Sequence, residues 1–327
     1  MNGSDNTHHI NGLIGHTGFV GSALLRQAGF AACYNSGNIA AIEGQAFGTL
    51  VCAAAPGSML EANRAPERDA AQIEALIARL AMVRAERFVL ISSIAVLADF
   101  ARRDDEGTEA FQQELAYGRH RRALEAFVES HFPASLIVRL PALFGAGLRK
   151  NFLFDLMNPV PSLLTEAKRD ALVSALNPAR DGWVGALYAH DAVTGLLRLD
   201  RASLNADRRR AALEDAVTAL GGASATQFHH PDTTYQYYPI DRLWQDIGIA
   251  LEAGLSHLHL VAEPLTAAAI HARLIGRTMP ETSAGLHHED MRTRHAGLWG
   301  AEGPYQFNAV ATLNQLAAFF ASERVAA

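Results

Sequence analysis

The chain has 327 residues, 49% of them hydrophobic, which is enough for one large or two modest domains with a sizeable core. Its formal net charge of -6 argues against a general nucleic-acid-binding protein, because such proteins normally carry a basic excess. No uncharged apolar run approaches the roughly 20 residues that span a bilayer, so a membrane protein is not expected.

The first half of the chain alternates strand-like and helix-like segments. Short apolar runs predict strands over 9–15, 31–35, 49–55, 87–96 and 135–145. Helical spacing of apolar residues predicts helices over 19–29, 69–84 and 109–130. Since strands joined through helices pair in parallel with right-handed crossovers, this order predicts an α/β fold with a Rossmann-type, doubly wound parallel sheet.

The second half is less regular and contains no visible repeat. Residues 151–235 carry helical pieces and a short basic cluster, Arg208–Arg210, which we interpret as a solvated helix face. Residues 239–255 predict a helix, and 256–262 predict a strand that could return to the same sheet. A last helix is expected at about 309–323.

The stretch "GLIGHTGFVGSALLRQAGF" places Gly15, Gly18 and Gly21 between the first strand and the first helix. Glycine adopts the backbone angles of a tight strand-to-helix turn, and a side chain at Gly18 would keep the backbone from approaching a pyrophosphate. Gly21 would let the helix pack closely on the strand, and Thr17 could add a hydroxyl. Because free N–H groups and the helix dipole favour an anion there, the stretch predicts a dinucleotide site.

Five motifs resemble the extended branch of the short-chain dehydrogenase/reductase superfamily, which includes nucleotide-sugar epimerases, dehydratases and ketoreductases. The first is the glycine spacing of "GHTGFVG". "FVLISSIAV" resembles the strand that ends in the family's catalytic serine or threonine, here Ser93. "YGRHRRALE" resembles the Tyr-x-x-x-Lys helix, which places the tyrosine at Tyr117. "RLPALFGAGLRKN" resembles the loop beside the nicotinamide, with Pro141, and "YPIDRLWQDI" resembles a segment that re-enters the nucleotide domain.

The resemblance implies a division of the chain and a set of cofactor contacts. It implies an NAD(P)-binding Rossmann domain at 1–150, to which 236–262 returns, and a substrate-binding part formed by 151–235 and 263–327. The implied cofactor-binding residues are Gly15, Thr17, Gly18, Phe19, Val20, Gly21, Asn35, Ser36, Ala53, Ala54, Ala55 and Pro141.

The choice between NAD and NADP stays open. NAD enzymes usually carry an acidic residue about 20 positions after the loop, yet no Asp or Glu stands between His16 and Ile42. The second strand ends instead in Tyr34, Asn35 and Ser36. The missing carboxylate favours NADP, because it removes a repulsion against the 2′-phosphate, while no arginine stands at the end of the second strand to clamp that phosphate.

The resemblance also implies a catalytic constellation of Ser93, Tyr117 and Arg121. Tyr117 would exchange a proton with a carbonyl or alcohol oxygen, Ser93 would bond the same oxygen, and the nicotinamide would give or take the hydride. The family's lysine, four residues after the tyrosine, is here Arg121. Arginine keeps the positive charge but cannot give up a proton, so a relay that needs a neutral amine would fail.

Two functions therefore remain open: an NAD(P)-dependent oxidoreductase or epimerase acting on a nucleotide sugar or similar carbonyl or alcohol, and a non-catalytic dinucleotide-binding relative. A dehydratase is not expected, because Ile94 and Ala95 occupy the positions where dehydratases of the family carry an Asp-Glu pair. The candidate substrate residues are Lys150 and Asn151, which follow the nicotinamide loop, and Arg292 and Arg294, which could clamp a phosphate.

No metal site is expected, although the chain has 14 histidines. The adjacent pairs, such as His8–His9, would diverge on regular structure, and no carboxylate or cysteine of suitable spacing accompanies His257 and His259. Two cysteines in apolar segments and an N-terminus without a signal-peptide pattern lead us to expect a cytoplasmic protein. The resemblance implies a homodimer formed through the helices predicted at 69–84 and 109–130.

Overall fold

The computed structural model describes residues 10–176, 181–220 and 222–326, so His8 and His9 lie outside the described residues. Its strands are β1 Gly12–Ile14, β2 Ala32–Tyr34, β3 Ala46–Cys52, β4 Arg84–Ser93, β5 Ser135–Leu140, β6 Ala142–Phe144, β7 Leu163–Leu164, β8 Tyr188–Asp191, β9 Leu196–Leu199, β10 Thr234–Tyr235, β11 Tyr237–Pro239, β12 His257–His259 and β13 Leu265–Thr266. Its helices are α1 Phe19–Gln27, α2 Met59–Arg64, α3 Pro66–Leu80, α4 Ala116–His131, α5 Phe152–Met157, α6 Glu166–Ala175, α7 Asp181–Ala186, α8 Arg201–Ala206, α9 Arg210–Ala219, α10 Leu243–Glu252, α11 Ala267–Ile275 and α12 Ala309–Ala326.

A six-stranded sheet in the order β12-β5-β4-β3-β1-β2 confirms the predicted α/β class. Every neighbouring pair in it is parallel. Buried apolar residues form one cluster on each face of the sheet, which is why its central strands are almost continuously apolar. The strand expected after residue 255 is β12, and it forms the edge of this sheet beside β5.

The helix expected over 109–130 begins only at Ala116. The preceding residues instead lie against the end of β4, since Ala98 N–H donates to Ala110 O (3.1 Å) and Gln112 N–H donates to Val96 O (2.8 Å). The Gln112 side chain then accepts from the N–H groups of Glu114 and Leu115, which satisfies donors at the start of α4. These pairings are with residues distant along the chain, so helical periodicity could not show them.

Pro141 divides the strand expected over 135–145. It lies between β5 and β6, and β6 leaves the large sheet to pair in parallel with β11. Proline has no N–H to donate to a ladder, so a break in strand pairing at this position follows from its chemistry.

The chain divides into two compact units. The first contains the chain up to Gly147, Gln236–Glu263 and Asp290–Thr312, and the second contains Leu148–Tyr235, Pro264–Glu289 and the chain from Leu313. Asp290–Thr312 belongs to the first unit, where Gln306 bonds the backbone of β12 and of the residues after it. The substrate-binding role expected for 151–235 and 263–327 stays a prediction.

The second unit holds a small antiparallel sheet, β7-β9-β8, packed on α6 to α9. Its strands have only two to four residues, which is too short for an alternating pattern to be recognised in the sequence. In the basic cluster, Arg209 pairs with Asp207 and Arg210 pairs with Glu214. Within the described residues, no helix combines the length and apolarity of a membrane span, and no cluster of three or more candidate metal ligands occurs.

A buried charged network joins α4 to the sheet of the first unit. The Glu125 carboxylate accepts from Arg139 Nε (3.0 Å) and Nη2 (2.7 Å) and from Ser92 Oγ (2.6 Å), and neither charged side chain is more than 1% exposed. Arg139 Nη1 also lies 3.1 Å from His259 Nε2, and burial lowers the pKa of His259. Because Ser92 precedes Ser93, this network sets the position of the strand end that carries Ser93.

We expect Glu125→Gln to lower the free energy of unfolding by roughly 3–5 kcal/mol, because it leaves the Arg139 guanidinium buried without a counter-charge. Chemical denaturation measures this loss. The matched control is Glu43→Gln, since Glu43 pairs with Arg79 on the surface, where both side chains are about 40% exposed. The control should lose less than about 1 kcal/mol, and equal losses for the two variants would contradict the role of the network.

Candidate dinucleotide and catalytic site

The glycine turn between β1 and α1 is a close backbone crossing. Gly15 has φ of +88°, and a Cβ there would lie 2.4 Å from Ala53 O. A Cβ at Gly21 would lie 2.1 Å from Gly15 O. Both positions therefore require glycine for the fold itself, in agreement with the packing role expected for Gly21.

Gly18 differs from the other two glycines. Its φ of -75° suits any residue, and the nearest atom to a Cβ there would be Gly15 O at 3.4 Å, so the protein itself leaves space for a side chain. Thr17 and Gly18 are exposed. The fold would accept a side chain at Gly18, so its absence fits a ligand that must contact the backbone at this point.

The first turn of α1 is suited to an anion. Phe19, Val20 and Gly21 supply N–H groups that have no carbonyl partner within the helix, and the cap residue Gly18 provides no side-chain acceptor. No acidic side chain occupies the turn to compete with a phosphate. These residues fit the pyrophosphate of a dinucleotide, and the small side chains of Ala53, Ala54 and Ala55 follow the neighbouring strand β3.

At the end of β2 the chain folds into a small turn. Asn35 Oδ1 accepts from Gly37 N–H (2.8 Å), and Asn38 Oδ1 accepts from Asn35 N–H (2.7 Å). The Asn35 oxygen is therefore occupied, and its amide N–H groups, with the exposed Ser36 hydroxyl, are the groups at this turn that could meet a ribose or its phosphate. His16 Nδ1 lies 2.9 Å from Tyr34 O, a contact that the sequence did not indicate.

Gly118 sets the distance between α4 and the end of β4. A Cβ at Gly118 would lie 2.1 Å from Ala95 O, so only glycine lets the helix lie on the turn over Ile94–Val96. Asn63 Oδ1 on α2 accepts from Tyr117 N–H (3.0 Å) and satisfies a donor in the first turn of α4. The helix start that carries Tyr117 is thus held from two sides.

Ser93 and Tyr117 are brought together as the resemblance implies. Ser93 ends β4, its Oγ accepts from Ala95 N–H (3.2 Å), and its hydroxyl also bonds Tyr117. Burial raises the pKa of Tyr117 above its usual 10.0, while the Arg121 charge and a hydrogen bond with Ser93 lower it; the net shift is upward. Tyr117 is therefore a protonated phenol at neutral pH.

Arg121 does not extend from α4 as a free cation. Its side chain is 2% exposed, and its guanidinium carbon lies 4.0 Å from the centroid of the Tyr117 ring. Nη1 donates to Asp69 and to Tyr117 O, and Nη2 donates to Asp69 Oδ1 (2.8 Å) and Pro56 O (2.5 Å). Only the buried Nε has no partner among the described residues.

Asp69 is a site residue that the sequence did not reveal. It lies in the first turn of α3, is 4% exposed, and also accepts from His120 Nδ1 (2.8 Å). Burial raises the pKa of Asp69, but hydrogen bonds from Arg121 and His120 outweigh that effect and bring it below its usual value. Because Asp69 and Arg121 are 52 residues apart, no local pattern links them.

The remaining expected residues are distributed over both units. Pro141 is buried between β5 and β6. In the second unit, Lys150 is exposed, and Asn151 caps α5 with φ of 115°, a strained value for a residue other than glycine. In the first unit, Arg294 pairs with Asp105 (2.5 Å), and Arg292 Nε lies 3.6 Å from Asp290. These contacts give Asn151 and Arg294 roles in the fold, and the part expected for all four in substrate binding stays a prediction.

We expect Arg121→Lys to lower the free energy of unfolding by about 1–3 kcal/mol, because one ammonium cannot reproduce the four hydrogen bonds made by the two terminal nitrogens of arginine. Urea denaturation checks the loss. Arg119→Lys is the control, since Arg119 is exposed on the same helix and makes a single 3.4 Å contact; it should change stability by less than about 0.5 kcal/mol. A loss no larger at Arg121 than at Arg119 would count against the bridging role.

Solved structures of known proteins identify the fold. No family model and no curated protein matches the chain. Among solved structures, dTDP-4-dehydrorhamnose reductase from Yersinia enterocolitica is 12% identical with a TM-score of 0.58, over 95% of this chain and 99% of that one. UDP-N-acetylglucosamine 4-epimerase from Methanobrevibacter ruminantium M1 is 9% identical with a TM-score of 0.59, over 96% and 99%. MoeE5 in complex with UDP-glucuronic acid and NAD is 11% identical with a TM-score of 0.60, over 97% and 100%.

At such identities a structural likeness establishes the fold and leaves the activity to be argued from the site. The likeness extends over nearly the whole chain, so it includes the irregular second half as well as the glycine turn. The chain therefore has the Rossmann-type fold of these solved structures.

Proposed function

We propose that the protein is an NAD(P)-dependent oxidoreductase or epimerase that acts on a nucleotide sugar, or on a similar carbonyl or alcohol, by tyrosine-assisted hydride transfer. The observation that carries the proposal is the pairing of Ser93 with Tyr117 at the carboxyl ends of the sheet strands. That is the side on which open α/β sheets bind their ligands. Nucleotide-sugar enzymes of the same fold support the substrate class.

The dinucleotide would rest on the backbone of Gly15, Thr17, Gly18 and the first turn of α1. The space at Gly18 and the free N–H groups of that turn support this assignment. When bound, the cofactor supplies the hydride donor or acceptor that no side chain can provide. The donors at Asn35 and Ser36 favour a phosphorylated ribose, although no arginine accompanies them, so NADP is favoured and NAD remains an alternative.

Tyr117 and Ser93 would handle the substrate oxygen. The Tyr117 phenol would exchange its proton with a carbonyl or alcohol oxygen, and the Ser93 hydroxyl, which lies beside the phenol, would bond that oxygen and hold it in place. Ile94 and Ala95 are buried and apolar, which supports the exclusion of a dehydratase.

A second candidate function is favoured by the position of Arg121. Its terminal nitrogens are bonded to Asp69, Pro56 and the Tyr117 carbonyl, so the cation expected beside the nicotinamide ribose is held within the protein. A non-catalytic dinucleotide-binding protein, acting as a sensor or a subunit of a complex, would tolerate this arrangement. As part of the proposal, we also infer a cytoplasmic homodimer in which α3 and α4 pair with those of a second copy, as the resemblance implies.

We expect Gly18→Ala to weaken binding of NAD(P) at least tenfold without lowering the melting temperature, because its Cβ would enter only the space assigned to the pyrophosphate. Calorimetry with both coenzymes and thermal unfolding measure the two effects. Gly21→Ala provides the contrast: its Cβ would strike Gly15 O, so it should lower the melting temperature as well. If Gly18→Ala binds as the wild type does, the assigned cradle is wrong.

We expect Tyr117→Phe to reduce turnover by a factor of about 10²–10⁴ while leaving dinucleotide affinity within twofold, because the substitution removes only the proton donor. The assay follows reduced coenzyme with a panel of UDP- and dTDP-linked keto sugars. A protein that binds the coenzyme yet shows no rate with any member of the panel would support the non-catalytic function instead. A variant that keeps the full rate would remove Tyr117 from the chemistry.

A further inference from the structure

The groups around Tyr117 form a closed set of contacts. Arg121 and its neighbour His120 come from α4, Asp69 comes from α3, and Ser93 comes from the end of β4. Helix α2, which also packs on α4, contributes the uncharged oxygen of Asn63. The guanidinium is thus the one cation in direct contact with the phenol among the described residues, and it shares Asp69 with His120.

Asp69 determines where the Arg121 guanidinium lies. A carboxylate that accepts from both terminal nitrogens fixes the plane of the guanidinium as well as its distance, which a single hydrogen bond would not do. Pro56 O occupies a further donor of Nη2, and the Tyr117 carbonyl occupies one of Nη1. The face of the group then lies over the Tyr117 ring, and the buried Nε has no partner among the described residues.

The same contact offsets part of the charge that would stabilise a phenolate. In water-poor surroundings the negative charge of Asp69 acts on Tyr117 in the opposite direction to that of Arg121. Burial has the largest effect on the pKa of Tyr117, and the Asp69 charge adds to it, so the phenol keeps its proton at neutral pH.

We propose that Asp69 is a positioning residue for Tyr117: by clamping Arg121 against the phenol and offsetting part of its charge, Asp69 helps to keep the phenol in the protonated form that a carbonyl substrate needs at the start of a reduction. The inference rests on the proposed function and concerns its reduction step. In the reduction, the carbonyl carbon receives a hydride from the reduced dinucleotide, which is thereby oxidised. The carbonyl oxygen takes the Tyr117 proton, and solvent returns a proton to the phenolate.

Because Tyr117 is protonated at neutral pH, the rates of carbonyl reduction and of alcohol oxidation should depend differently on pH. A phenol whose pKa lies above 10.0 is the donor form throughout the neutral range, so the reduction rate should be flat there and fall only as the pH passes that pKa. Alcohol oxidation needs the phenolate, which is present in fewer than about one molecule in a thousand at neutral pH. Its rate should therefore rise about tenfold for each pH unit.

The test is the ionisation of Tyr117 in the coenzyme-free protein, followed by ultraviolet difference absorbance after rapid pH jumps. Subtracting the signal of Tyr117→Phe isolates this residue among the seven tyrosines. We expect the wild-type midpoint above 10.0, and in Asp69→Asn a midpoint lower by at least about one unit, a tenfold change in ionisation constant. A wild-type midpoint below 10.0, or no shift in Asp69→Asn, would overturn the proposal.

Glu67→Gln is the matched control, because Glu67 is exposed in the same turn of α3 and loses the same charge; its midpoint should equal that of the wild type. Should Asp69→Asn fail to fold, the double variant Asp69→Asn/Arg121→Gln removes both charges and leaves neither buried alone. Its midpoint should equal or exceed that of the wild type, and a lower midpoint would overturn the proposal.

A second measurement uses the same variant with coenzyme. With a nucleotide-sugar alcohol and oxidised coenzyme at neutral pH, oxidation by Asp69→Asn should be faster than by the wild type, by up to about tenfold, because more of the phenol is ionised but each phenolate is a weaker base. If the Tyr117 midpoint shifts in Asp69→Asn as expected while no coenzyme binds, the proposed function is wrong and the positioning role of Asp69 stands. If the protein turns over coenzyme while the Tyr117 midpoint does not shift in Asp69→Asn, the positioning role of Asp69 is wrong and the proposed function stands.

Discussion

The bidentate pair between Asp69 and Arg121 is the contact on which the candidate site depends. It joins the start of α3 to the first turns of α4 and does so inside the protein, where neither side chain is more than 4% exposed. Breaking such a pair leaves an uncompensated charge in a medium that solvates it poorly, so the two helix starts are held together strongly. Tyr117 lies between this pair and Ser93, and its surroundings follow from that placement.

Two buried ion pairs, Glu125–Arg139 and Arg121–Asp69, fix the position of α4. Glu125 reaches the sheet through Arg139 and Ser92, which sets the height of the helix above the strand that ends in Ser93. Arg121 pairs with Asp69 on α3, so its charge is neutralised on the side of α4 that faces α3. In both cases the protein supplies the counter-charge itself. A ligand at the site would therefore meet backbone N–H groups and hydroxyls, which suits a pyrophosphate on α1 and a neutral oxygen at Tyr117.

The parts of the site that the sequence predicted are those encoded within a few residues. Gly15 and Gly21 follow from backbone geometry at one turn, Gly18 follows from the space that a pyrophosphate needs, and Ser93 follows from the end of one apolar strand. The start of α4 was misplaced because Gln112 pairs with residues of another segment. The site role of Asp69 could not be predicted from the sequence for the same reason: its partner Arg121 is 52 residues away. An aspartate near a helix start is ordinarily explained by the helix dipole alone.

A structure of the protein crystallised with NADPH would test the account most directly. We expect the two phosphates to lie against the N–H groups of the first turn of α1, the nicotinamide to face Tyr117, and both terminal nitrogens of Arg121 to remain bonded to Asp69. An Arg121 side chain that leaves Asp69 to bond the ribose would contradict the clamp. Coenzyme density absent from the glycine turn, at concentrations that saturate binding in solution, would contradict the site as a whole.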